Sequence, residues 1–139
     1  MIIELTPIIA SEQVEAARQL IQQATRVVIL TPMSPDGDAI GSSLGMYHVL
    51  TAIGKQVNVI TPDMPPKNLM FLPGAKEILP FTLYQDFAAE LLANADLVLC
   101  LDFNAPYRVD RMADVLTSSP AKKVMIDHHI DPSDFVDLK

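Results

Sequence analysis

At 139 residues, half of them hydrophobic, the chain is long enough for one domain with a proper core. No apolar run approaches the roughly 20 residues of a membrane span, and the start Met-Ile-Ile-Glu-Leu-Thr-Pro lacks the basic, small-residue pattern of a secretory signal. A formal net charge of −7 argues against a groove for long duplex nucleic acid, but leaves room for a small phosphorylated substrate whose charge is met by divalent cations.

The first expected element is an amphipathic helix over Ser11 to Ala24. Ser11 caps it, Glu12 suits its first turn, and Val14, Ala17, Leu20, Ile21 and Ala24 share a face. Arg26 to Leu30 follows as a short strand, apolar on both faces, and Thr31 to Gly37 is a loop with two prolines and a glycine. A second helix is expected from Ala39 to Ile53, with Ile40, Leu44, Tyr47, Leu50 and Ile53 inward and Gly54 ending it. Gln56 to Thr61 reads as a strand. Pro62 to Pro80 holds five of the eleven prolines and reads as irregular, with a turn of helix near Asn68 to Leu72. Then come a helix over Gln85 to Ala93, a strand over Leu97 to Leu101, a helix over Tyr107 to Leu116 and a last strand over Lys123 to Ile126. Strands and helices alternate, and the strands are continuously apolar. The expected fold is α/β: a parallel sheet sandwiched by helices. After Ile126 the chain gives thirteen more residues without a closing helix, so the domain over residues 1–139 is expected to be incomplete at its C-terminus.

Acidic residues sit where three strands end. Asp36 and Asp38 flank Gly37 in the loop after the first long strand, Asp102 follows Leu101, and Asp127-His128-His129 follows Ile126. In a parallel sheet these positions gather at one edge, where carboxylates without a basic partner repel one another unless a divalent metal relieves the repulsion. A mixed Asp/His set suits manganese, iron or zinc better than calcium, with magnesium also allowed. Taken singly, each motif has a plain structural reading. Asp-Gly-Asp is a common turn, Asp38 can act as a helix N-cap, and adjacent histidines point in different directions. Three such motifs at three strand ends favour a metal site. Cys100, the only cysteine, lies in an apolar strand with no basic residue near it in sequence; it reads as a buried hydrophobe in a reducing cytoplasm. His48 reads as a surface or satisfied core histidine. Arg108 and Arg111, one turn apart, either approach a phosphate or cover a helix surface.

Ser34-Pro35-Asp36-Gly37-Asp38-Ala39-Ile40-Gly41-Ser42-Ser43, Leu101-Asp102-Phe103-Asn104 and Ile126-Asp127-His128-His129 resemble the first three motifs of the DHH phosphoesterase superfamily, closest to its oligoribonuclease and phosphoadenosine-phosphate phosphatase branch. The resemblance spans Arg26 to Pro132. It implies a hydrolase with a two-metal centre, usually Mn2+, that cleaves phosphate esters of short oligonucleotides or nucleoside phosphates. Carried over by position, Asp36 binds the first metal, Asp38 and His128 the second, and Asp102 bridges both. Asp127 acts from behind the ligands, and His129 faces the substrate phosphate.

Two departures stand against full activity. Where the family's first motif begins with a histidine, four residues before Asp36, this chain has Pro32, which offers no donor atom. The family's fourth motif and C-terminal substrate-binding domain are expected beyond Lys139; Asp131, Asp134 and Asp137 read as exposed loop residues, not replacements. The chain alone is therefore expected to be weak or inactive. The motifs also accommodate a pyrophosphatase or cyclic-dinucleotide phosphodiesterase of the same superfamily, and Pro32 favours a non-catalytic module for phosphate-ligand binding or assembly. Apolar surface left bare by an absent domain allows a homodimer.

Overall fold

The aliphatic runs of the sequence become neighbouring strands of one parallel sheet. The computed structural model describes residues 2–3, 11–31, 37–101 and 113–126. Its strands are β1 (Ile2–Ile3), β2 (Arg26–Leu30), β3 (Gln56–Thr61), β4 (Leu79–Pro80), β5 (Leu97–Leu101) and β6 (Lys122–Ile126). They lie in the order β1-β6-β5-β2-β3-β4, and every pairing is parallel. The α-helices among the described residues are α1 (Ser11–Gln23), α2 (Gly37–Ala52), α3 (Gln85–Asn94) and α4 (Ala113–Ser118).

Alternation along the central strands divides the core into two layers. Val27 and Ile29 of β2 pack with Ala17 of α1 and with Ile40, Leu44 and Leu50 of α2. Val28 and Leu30 pack with Ala88 and Leu92 of α3 and Leu116 of α4. This is the expected sandwich. Each aliphatic side chain fully removed from water contributes roughly 1.5–3 kcal/mol, so the continuously apolar strands fix which segments occupy the sheet centre.

Local chemistry sets the element ends. α2 closes with the N–H of Lys55 donating to Leu50 O (3.2 Å) and that of Gly54 to Thr51 O (3.0 Å). Gly54 sits at φ 91°, the left-handed conformation this helix stop requires. The Lys55 ammonium reaches back to the carbonyls of Gln22 (3.3 Å) and Ala24 (2.5 Å), supplying a cation to the end of α1, which has no basic residue in its last turn. His48 bonds Pro73 O through Nε2 at 2.8 Å and braces the proline-rich segment against α2. At the opposite edge of the sheet from the strand C-termini, Asp96 joins three strands. One carboxylate oxygen accepts the N–H groups of Thr25 (2.9 Å) and Arg26 (2.8 Å), while its backbone bonds Arg26 O (2.9 Å) and the Lys122 N–H (3.2 Å).

Several expectations need correction. β1 and β4 are edge strands of two residues each, too short to leave a periodic signal. β4 contains Pro80, tolerable because an edge strand leaves one side unpaired; Phe81 supplies the N–H that the proline lacks, donating to Thr61 O at 2.7 Å. The turn expected near Asn68 appears as 3-10 turns over Lys67–Leu69 and Ala75–Glu77. α2 begins two residues earlier than expected. Ile53 is 62% exposed, because the chain leaves the helix before that position comes round to the core. The helix expected from Tyr107 is described only from Ala113 onward.

Candidate functional site

Chain direction in the sheet reverses at β2. From β2 the chain passes through α2 to β3 on one side, and after β4 it crosses through α3 to β5 on the other. In open parallel α/β sheets, the cleft at the C-terminal ends of the strands beside such a switch point is the usual binding position. The C-terminal ends of β6, β5 and β2 therefore form one continuous edge: Leu101 pairs in register with Ile126, and Leu30 with Cys100.

Each of these ends continues directly into a segment that carries candidate ligands. Asp102 and Asp127 are one peptide link beyond Leu101 and Ile126, a Cα step of about 3.8 Å. β2 leads through Thr31 toward the residues that precede α2. Thr31 is fully buried, and its N–H donates to Ile60 O at 3.2 Å, extending the sheet ladder one residue past β2. Asp38 lies in the first turn of α2, where the positive end of the helix dipole favours a carboxylate. The side chain of Asp38, together with Asp36, Asp102, Asp127, His128 and His129, lies outside the described residues. So do Pro32, Arg108, Arg111, Asp131, Asp134 and Asp137. Among the described residues, no group of three or more His, Cys, Asp or Glu side chains could hold a metal.

Two described buried side chains lie on the strands that lead to this edge. Cys100 is completely buried on β5, and burial pushes its thiol up to about 12 even though Lys123 on β6 acts in the opposite direction. It stays a thiol and is no nucleophile. Lys123 is itself buried, donating to Ser119 O (2.9 Å) and Ala121 O (3.2 Å) just beyond the end of α4. Ser43, the last residue of the first motif, has no role assigned from the sequence. It is fully buried on α2, and its hydroxyl has no hydrogen-bond partner among the described residues. Its sequence signals are its place at the end of the Ser34 to Ser43 motif and between Ile40 and Leu44 on the inward helical face.

The fold and the three motif-bearing strand ends define a doubly wound α/β domain of the kind that carries its chemistry at a switch point. Comparison with known proteins gives the family. The DHH family, N-terminal domain, matches residues 26–138, and the chain belongs to that family. The bifunctional oligoribonuclease and PAP phosphatase NrnA of Thermus thermophilus is 40% identical over 103 residues, covering 74% of this chain and 28% of that protein. The crystal structure of an exopolyphosphatase-related protein from Bacteroides fragilis superposes with a TM-score of 0.92 at 47% identity, over 96% of this chain and 39% of that one. A Sir2 enzyme structure shares the fold alone, with a TM-score of 0.59 at 11% identity. The chain thus spans well under half the length of the two closer relatives. No helix among the described residues is long and apolar enough to cross a membrane.

Proposed function

We propose that this chain is the N-terminal, metal-binding domain of a phosphoesterase that hydrolyses short oligonucleotides or nucleoside phosphates. The observation that carries the reading is the shared edge: β2, β5 and β6 are neighbours in register, and each leads into one of the three ligand-bearing motifs. The 40% identity to an oligoribonuclease and PAP phosphatase supports the substrate class. A cytoplasmic location fits the single, buried, protonated thiol.

The donor set fits a divalent transition metal. Asp36, Asp38 and Asp102 bring carboxylates and His128 an imidazole, a mixture that suits Mn2+ and accommodates Mg2+ less well. In this reading Asp36 would serve one metal, Asp38 and His128 would serve the other, and Asp102 would be shared by both. When bound, such ions supply the Lewis acidity that activates water and neutralises phosphate charge. Asp127 would orient the neighbouring ligands from behind, and His129 would donate an N–H to a phosphate oxygen of the substrate. Pro32 gives no donor at the position where the family carries a histidine, so the Asp36 side of the centre is the weaker half. The same residue favours a second reading, a non-catalytic module that binds a phosphate ligand or serves assembly.

The two are separated by titrating the chain with Mn2+ and assaying a diadenylate and phosphoadenosine phosphate, alongside Pro32→His. The phosphoesterase reading expects saturable Mn2+ binding, slow turnover, and Mn2+ affinity at least about tenfold tighter in Pro32→His. Phosphate-ligand binding without turnover in either chain would favour the module. Absence of Mn2+ binding in both would overturn the metal centre.

A further inference from the structure

The first halves of β2 and β3 depart from the pattern of a parallel sheet, whose strands are apolar on both faces. Val28 of β2 and Ile60 of β3 belong to the layer under α3. At the strand period of two, Arg26, Gln56 and Asn58 share that face, and Arg26 pairs in register with Gln56. These three side chains border a cavity of about 240 Å³, and Phe87, Glu90 and Leu91 of α3 line its other wall. It lies where the strands begin, at the opposite end of the sheet from the three motifs. A solvated polar face does not call for an aromatic ring, yet Phe87 lines this one and is 50% exposed. Asn58 is half-buried, and its side-chain amide has no hydrogen-bond partner among the described residues. Arg26 and Glu90 line the same cavity without forming an ion pair with each other. Asp96, whose carboxylate feels the Arg26 charge, is occupied by the N–H groups of Thr25 and Arg26.

A carboxylate on one wall and a guanidinium with two amides on the other define the chemistry of the occupant. The carboxylate accepts from adjacent N–H groups, while the guanidinium and amides donate to adjacent acceptors. Guanine carries both sets: the ring N1–H and exocyclic N2 amine on one edge, and the O6 and N7 acceptors on another. Adenine offers one exocyclic amine between ring acceptors, so it leaves the carboxylate wall poorly satisfied. Phe87 and Leu91 supply the apolar contact on which a base ring stacks. The cavity is smaller than the roughly 300–1,000 Å³ of sites for larger ligands, which suits a single base and not a dinucleotide. The Glu90 carboxylate offsets the one guanidinium, so no positive field remains for a phosphate. We infer that this cavity binds the guanine base of a nucleoside. The site is separate from the candidate metal edge and does not depend on the phosphoesterase reading.

Guanosine titrated to about 2 mM into the metal-free 139-residue chain, followed by backbone-amide NMR, tests the inference. Saturable shifts are expected at Arg26, Asn58 and Phe87, with a Kd of about 1 mM or tighter. None are expected at Leu101 or Ile126, at the far end of the strands. Adenosine binds at least about tenfold more weakly, and so does guanosine to Glu90→Gln, which keeps the size of the side chain and removes its charge. Glu90→Gln melts with the parent, because the Glu90 side chain bonds no other described residue. Absence of saturable shifts with guanosine, or shifts confined to the motif-bearing edge, would overturn the inference. Equal binding of the two nucleosides, or parent-like binding by Glu90→Gln, would overturn it as well.

Discussion

A hydroxyl enclosed in an apolar layer without a partner costs about 1–3 kcal/mol, and Ser43, on the inward face of α2, has none among the described residues. Ser43→Ala removes that cost and improves helix propensity. It is expected to stabilise the chain by roughly 1 kcal/mol and to raise Tm by about 4 °C, read by calorimetry. A lower Tm in Ser43→Ala would mean that the hydroxyl holds something. Cys100 shows the other side of residue-scale reading. Its inertness was legible from the apolar run around it, but the sequence placed no basic residue nearby. The sheet does: Lys123 lies on the neighbouring strand, and burial still outweighs its pull on the thiol. Long-range neighbours of this kind are invisible along the chain.

At the scale of elements, Asp96 secures the sheet. Its carboxylate accepts the N–H groups of Arg26 and Thr25, and those two bonds, Arg26 first, hold its pKa below the ordinary carboxylate range. The folded value lies below the unfolded one. Its stabilisation is therefore complete above about pH 4 and is lost as pH falls through the lowered folded value. Asp96→Ala is expected to lower Tm at pH 7. The gap from the parent should narrow as pH drops from about 4 to about 2 in acid melts. A gap that is constant over that range would assign the loss to packing and not to the carboxylate. Asp96 itself was not legible in the sequence, where it is one more acidic residue before a strand. The central strands were: β2, β3 and β5 match their expected ranges to the residue, because continuous aliphatic runs allow little else. The edge strands β1 and β4 were missed for the converse reason. Two residues carry no period, and they pair only because a long strand already lies beside them.

Across the whole molecule, the strand order matters more than any single contact. It puts β2 between β3 and β5 and makes β6, β5 and β2 neighbours at one edge, so the strand ends that lead into three distant motifs lie side by side. The motifs were legible in sequence because each follows an apolar run. That their strands are neighbours required the topology, which hydropathy alone does not specify. The central claim is that this edge is a metal centre, and thermal unfolding with and without Mn2+ tests it most directly. At about a hundred times Kd, Mn2+ binding adds about 2.7 kcal/mol of stability. The account predicts a concentration-dependent rise in Tm for the parent chain and none for Asp102→Ala. Equal shifts in both chains, or no shift in the parent at any Mn2+ concentration, would contradict it.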